Sequence, residues 1–246
     1  SFRFFDPDNA IAITSTGQQL IKFTADIGNQ YYTKELGKKK DYCIYTDTDS
    51  TFFSSLPLIE KRYPDFDITN EDTYINLDLK LDGFVYFPGT INLRQFKSLK
   101  EKDFQNDFEV NVMGLIRILK YYLNHFNEGS SFVFFSTVAA KIGMPFHTSV
   151  SMVKSALNGL CISLSAEYAP KFRFNCISPS LFKSEMSSRF LRNEKYIENL
   201  REKNPLKKIG SPNDISSMID FLLSDQSRWI TAQNISVDGG MSNLKL

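Results

Sequence analysis

Short runs of apolar residues alternate along the chain with longer stretches in which apolar positions recur every three or four residues. The short runs that predict strands are AIAIT (10–14), YCIYT (42–46), one ending at Asp67, GFVYF (83–87), SFVFFS (131–136), FRFNCIS (172–178) and NISVD (234–238). Helical spacing covers residues near 18–36, 53–62, 103–126, 149–168, 184–203 and 212–224. Strands separated by helices predict βαβ units with right-handed crossovers, and so a parallel sheet with helices on both faces. The expectation is one α/β domain over residues 1–246, Rossmann-like and doubly wound on about seven strands, with ligands at the strands' carboxyl ends. Within 149–168 an apolar stripe runs through Val150, Val153, Leu157, Leu160, Cys161 and Leu164, and Lys154 shares the side of Val150 one turn on. Met152 and Ile162 fall off that stripe, as surface residues or as a subunit contact.

Charge narrows the function classes. Twenty-nine basic and 28 acidic residues leave a net charge of +1, so neither nucleic acid nor an acidic membrane surface is an expected partner. No apolar stretch approaches a membrane span, and no basic start is followed by an apolar run. Cys43, Cys161 and Cys176 lack metal-ligand spacing, and two histidines make no His-rich site, so no metal is expected. Scattered thiols point to a reducing cytoplasm.

Four segments carry a family resemblance: DFEVNVMGL (107–115), SFVFFSTVAAKIG (131–143) with the helix that follows it, NCISPSLFKSEM (175–186), and 204–241 down to its Asp-Gly-Gly. Together they resemble the short-chain dehydrogenase/reductases, most closely the 3-oxoacyl-acyl-carrier-protein reductases. In that family a Tyr-x-x-x-Lys pair, a Ser and an Asn serve carbonyl reduction by NAD(P)H. The resemblance places Asn111 at the asparagine, Thr137 at the serine (with Ser136 beside it) and Lys154 at the lysine. Val150 stands where the tyrosine would be, and a valine has no proton to give. His147, seven residues before Lys154, has the Tyr-to-Lys spacing of the enoyl-acyl-carrier-protein reductases and is a second candidate acid. Pro179, Ser180 and Ser184 take the positions of the family's Pro-Gly and Thr after strand six.

The cofactor loop departs further. The family's Thr-Gly-x-x-x-Gly-x-Gly lets backbone N–H groups approach a pyrophosphate. Aligned on Thr14, the glycine positions hold Ser15, Gln19 and Ile21, and Gly17 falls where none is needed. Asp47 or Asp49 could accept from a ribose hydroxyl, and Asp67 resembles the aspartate near the adenine. The family's Asn-Asn-Ala-Gly becomes Tyr86-Phe87-Pro88-Gly89, keeping only the glycine. The candidate cofactor residues are therefore Thr14, Gly17, Asp47, Asp67, Gly89 and Lys154. No cofactor is expected, with NAD(P) the alternative if the site is competent.

Loss of the acid together with the glycines implies a pseudoenzyme: a scaffold, or a partner subunit of an active reductase in fatty-acid or polyketide assembly. A divergent NAD(P)-dependent oxidoreductase and a protein binding an acyl chain are the competing readings. The resemblance implies homo- or hetero-oligomers. It also makes the basic residues of 187–203, the family's substrate lid, a candidate contact for acyl-carrier protein, although a charged helix is more readily explained by solvation.

Overall fold

The computed structural model describes residues 43–46, 51–53, 67–74, 80–184, 187, 191 and 193–245. The chain divides into a unit of residues 1–66 and a unit of residues 67–246. In the first, β1 (Cys43–Thr46) pairs antiparallel with β2 (Thr51–Phe53). The expected strand at 42–46 is present, but its described partner is a hairpin strand. Two runs of β-branched and aromatic residues flank DTDS, a turn-forming composition, and that local signal overrides the crossover expected here. The strand expected at 10–14 and the helix expected at 18–36 lie outside the described residues.

The second unit is built on a parallel sheet ordered β3 (Leu81–Tyr86), β4 (Phe126–Phe135), β5 (Arg173–Pro179), β6 (Asn234–Val237). Among the described residues this sheet has four strands. The strand expected to end at Asp67 lies, apart from Asp67 itself, outside the described residues, and Asp67 opens a tight turn. Asp67 Oδ1 accepts from the backbone N and the hydroxyl of Thr69, both at 2.8 Å, and a single bridge joins Asp67 to Asn70. A short acceptor on Asp67 competes with strand pairing by satisfying the backbone locally.

Helices alternate with these strands: α1 (Glu101–Phe108), α2 (Gly114–Tyr122), α3 (Thr148–Tyr168), α4 (Glu194–Lys203) and α5 (Pro212–Leu223). Side chains alternate across β4, and each face has its own cover. Val133 and Phe135 join Ile177 against Ile215, Ile219 and Leu222 of α5. Phe132 and Phe134 turn the other way with Phe174 and Cys176, all fully buried. The Phe132 and Phe174 rings stack at 4.5 Å between centroids, and the Cys176 thiol donates to Leu157 O at 3.7 Å, which puts α3 on this face. Each buried Phe contributes roughly 1.5–3 kcal/mol of transfer free energy. The stripe of α3 follows as expected through Val150, Val153, Leu157 and Cys161, while Leu160 and Leu164 are only half-buried and Met152 and Ile162 are exposed.

One helix was expected across 103–126, and it carries a defect that periodicity does not reveal. Between α1 and α2 the residues Glu109–Met113 form a π-helical turn, the wider i→i+5 spacing that often marks a site. The Tyr86 hydroxyl donates to Val110 O at 2.6 Å, gripping that turn from β3. Gly114 makes room for it: a Cβ there would stand 2.8 Å from Tyr86 Oη and 3.4 Å from Ile68 Cδ1. Gly114→Ala raises helix propensity by about 1 kcal/mol, yet it drives a methyl into a buried, hydrogen-bonded phenol. We expect a net loss of about 1–2 kcal/mol in urea unfolding, as for other overpacked cores. Tyr86→Phe in the same chain should recover part of it; a stabilised Gly114→Ala protein would contradict this packing.

Candidate active site

The loops after β3, β4, β5 and β6 gather at the carboxyl ends of the sheet, where an open α/β sheet places its ligands. Asn111, fully buried on the π turn, donates through Nδ2 to Asp107 O at 2.8 Å and to Thr90 Oγ1 at 3.0 Å. Its Oδ1 is buried and has no hydrogen-bond partner among the described residues. That oxygen faces Gly89: a Cβ on Gly89 would lie 3.1 Å from Asn111 Oδ1 and 3.1 Å from Lys154 Nζ. The structure thus brings together Asn111, Lys154 and Gly89, three of the residues expected from the sequence.

Lys154 reaches this point from α3, one turn after buried Val150. Among the described residues no hydrogen bond or ion pair to its Nζ is found. Burial disfavours the ammonium and lowers its pKa from 10.5 to about 8. Cys176 lies near enough to act on it, but a hydrogen bond with Cys161, followed by burial, pushes the Cys176 thiol far up. A thiol held protonated offers the ammonium no counter-charge.

Thr137 follows β4 and opens a short 3₁₀ turn, Val138–Ala140. Its Oγ1 accepts from Ala139 N at 3.3 Å, which leaves the hydroxyl proton available. Neighbours on both sides tie this loop to α3: Ser136 Oγ donates to Lys154 O at 3.2 Å, and Ser151 Oγ donates to Ala139 O at 2.8 Å. Ser136 is therefore turned into the α3 backbone, and Thr137 is the better donor of the two. His147 precedes the first turn of α3, and its Nδ1 lies 2.7 Å from Pro145 O. The ring is held by its own loop, and no contact links it to Thr137 among the described residues.

Periodicity alone left one buried group out. Asp107, fully buried on α1, accepts from Thr90 Oγ1 at 2.5 Å, Asn92 Nδ2 at 2.7 Å and Ser149 Oγ at 2.5 Å. Its signal was legible: a carboxylate four residues before Asn111, on the inward side of an amphipathic helix, needs polar partners from elsewhere. It joins the β3 loop to the head of α3 and so fixes the walls of the cleft.

The remaining candidates lie elsewhere. Asp67 has its carboxylate occupied by Thr69, whose backbone and side-chain hydrogen bonds lower its pKa. Thr14, Gly17, Asp47 and Asp49 lie outside the described residues, as do Ser15, Gln19 and Ile21. Phe87 is 58% exposed, with its ring 4.5 Å from that of Phe135, so it forms a rim. Ser180 Oγ donates to Asp238 O at 3.4 Å, while Ser184 pairs with Ser187. Among the described residues no cluster of His, Cys, Asp or Glu could hold a metal, and no helix is long and apolar enough to cross a membrane.

The family match falls within the second unit. A family model described as enoyl-(acyl carrier protein) reductase matches residues 74–242. The chain belongs to the short-chain dehydrogenase/reductase family. An uncharacterized oxidoreductase of Methylorubrum extorquens is 30% identical over 66% of this chain and 66% of its own length. Tropinone reductase-like 3 of Erythroxylum coca is 30% identical over 70% of this chain and 66% of its own length. The chain thus spans slightly less than two thirds of these relatives. A crystal structure of a short-chain dehydrogenase/reductase (glucose/ribitol dehydrogenase) from Brucella melitensis superposes with a TM-score of 0.63 at 29% identity, covering 66% of this chain and 65% of that one. These relatives are named as tropinone-reductase-like proteins and oxidoreductases, and the 3-oxoacyl-acyl-carrier-protein branch expected from the sequence does not appear in their names.

The family implies a nicotinamide dinucleotide, and the described residues fit one end of it. Lys154, with donors to spare beside a glycine, would hold the ribose hydroxyls next to the nicotinamide, and Asn111 Oδ1 could accept from a water or a hydroxyl there. When bound, that group supplies hydride. What this chain's residues supply is an ammonium at Lys154, a hydroxyl proton at Thr137 and an acceptor at Asn111. A phenol between them is missing.

The buried lysine has a consequence for stability. As pH falls from 10.5 towards 8, the unfolded amine protonates while the folded one stays neutral, so stability is lost across that window and the deficit is complete below pH 8. Lys154→Met removes the cost. It should stabilise the protein by about 1–3 kcal/mol at pH 7, with the advantage shrinking to zero by about pH 10.5. Denaturant titrations of both proteins across pH 7–10.5 measure the difference, and a constant gap would mean that the amine is not what titrates.

Proposed function

We propose that this protein is a non-catalytic member of the short-chain dehydrogenase/reductase family, acting as a scaffold or as the partner subunit of an active reductase. The observation that carries this reading is Val150, buried at 6% exposure on the α3 turn before Lys154. Carbonyl reduction by this arrangement needs an acid at that point, and valine offers none. His147, the other candidate, is engaged with Pro145 O. The sequence at Ser15, Gln19 and Ile21, where the family has glycines, weighs in the same direction, since a pyrophosphate-binding loop needs close backbone approach that glycine permits.

A partner subunit needs a docking face. Exposed Met152 and Ile162 with half-buried Leu160 and Leu164 give α3 an apolar outer side suited to a second short-chain dehydrogenase/reductase subunit, of this chain or of an active homologue. The names of the relatives favour a ketone as the substrate of such a partner. Fatty-acid or polyketide metabolism rests on the sequence resemblance alone. An acyl-carrier protein contact through α4 is weakened by the pairing of Arg201 with Glu194 and Glu198 on its own helix.

The second reading, a divergent NAD(P)-dependent oxidoreductase, is favoured by one observation: Lys154 and Asn111 converge at Gly89, and a hydroxyl proton is free at Thr137. Oxidation of NADH and NADPH separates the two. The purified protein is mixed with either nucleotide and with tropinone or a 3-oxoacyl thioester, alongside Val150→Tyr. We expect no turnover from the wild-type chain, and we expect Val150→Tyr to remain inactive because the loop defect is separate. Turnover by the wild type would sink the non-catalytic reading, and turnover by Val150→Tyr alone would show that the acid is the sole lesion.

A further inference from the structure

We infer that Lys141 closes the outer edge of the parallel sheet, so that a second copy of this chain does not add its own β6 strand there. The inference goes beyond the partner-subunit reading and holds whether or not the chain is catalytic. Among the described residues β6 ends the strand order, with β5 on its inner side. The backbone hydrogen bonds show which of its groups face out. Cys176 N donates to Gln233 O at 2.7 Å, and Ser180 N donates to Val237 O at 3.3 Å. Backbone groups of successive residues point to opposite sides of a strand, so Gln233, Ile235 and Val237 turn towards β5 while Asn234 and Ser236 turn outward. An outward row of N–H and C=O groups is a template on which another strand can pair.

Lys141 occupies that row. Its Nζ donates to Asn234 O at 2.7 Å and to Ser236 Oγ at 2.8 Å, and no ion pair to it is found among the described residues. The turn after β4 aims the stem. Lys141 N donates to Val138 O at 2.8 Å, and Ser151 Oγ, donating to Ala139 O at 2.8 Å, ties the same turn to α3. The strand is equally well held. Ile235 and Val237 pack against the buried cluster that contains Ile177 and Leu222, and Ser242 Oγ donates to Ser236 Oγ at 3.1 Å. A lysine laid along an exposed edge is one of the devices by which sheets avoid pairing with each other.

A second copy would pair through the same strand about a two-fold axis, with the two β6 strands antiparallel and about 4.8 Å apart. Two features of Lys141 oppose this. Asn234 O already has a donor, so an incoming N–H only replaces one hydrogen bond by another. The two-fold axis also brings a second Lys141 to the same short edge, and like charges facing each other across a strand pair are unfavourable. Asp238, just past β6, has its carboxylate held by Gly240 N and Ser242 N, both at 2.8 Å, and forms no ion pair with Lys141.

The test compares the full chain with Lys141→Met, which keeps an apolar stem but neither the donors nor the charge, and with Lys141→Arg, which keeps both. Sedimentation equilibrium gives the self-association constant of each protein, and amide hydrogen exchange reports on Asn234 and Ser236. We expect Lys141→Met to self-associate at least about tenfold more tightly than the wild-type chain, with the Asn234 and Ser236 N–H groups protected in the associated form. Lys141→Arg should match the wild type. Equal association constants for all three proteins, or tighter association of Lys141→Met without protection of those two amides, overturn the inference. The wild-type chain gives a check that needs no variant. Its Asn234 and Ser236 N–H groups should exchange like exposed amides at every protein concentration, and protection of both would mean that the edge is already paired. None of these readouts involves NAD(P)H oxidation, so the non-catalytic reading can fail while the closed edge holds, and the reverse.

Discussion

The widened turn at Glu109–Met113 sets the direction of every polar group that matters in the cleft. A regular helix would carry Asn111 around by its usual step; the extra residue in the turn frees Val110 O, and Tyr86 on β3 takes it. With that bond made, Asn111 can grip Thr90 and Asp107 O with one end and turn its oxygen towards Lys154. Asp107, four residues earlier, then meets Thr90, Asn92 and Ser149. Sheet, helix pair and loop are locked by donors that satisfy one buried carboxylate, and removing any of them would leave a desolvated group worth roughly 1–3 kcal/mol. Gly114 allows this arrangement because a larger residue would meet the Tyr86 hydroxyl.

Much of the second unit was legible because its signals are long and redundant. The strands at 83–87, 131–136, 172–178 and 234–238 and the helices at 149–168 and 212–224 appear within a few residues of where their patterns place them. Lys154, Asn111 and Gly89 were found as isolated letters in family segments, and the fold draws them to one point. At Asp67 an Asx turn satisfies the backbone with a single side chain, a choice that apolar counting cannot see. The antiparallel partner of β1 was missed for a similar reason: DTDS reads equally as the start of a crossover or as a hairpin turn. The π turn has no apolar signature, since it changes the angular step without changing which residues are apolar.

Keeping Lys154 buried is costly, and the cost says something about what the cleft retains. A buried ammonium with no carboxylate partner among the described residues is the kind of group that a methionine or leucine replaces at a gain in stability. Asp107 presents the same case in the opposite charge, except that its three donors offset the burial. The valine at position 150 and the amine at 154 stand one helical turn apart, so the missing phenol is a local change on an otherwise intact helix. Carbonyl reduction by this arrangement uses both, and with valine at position 150 the amine has no phenol to act on.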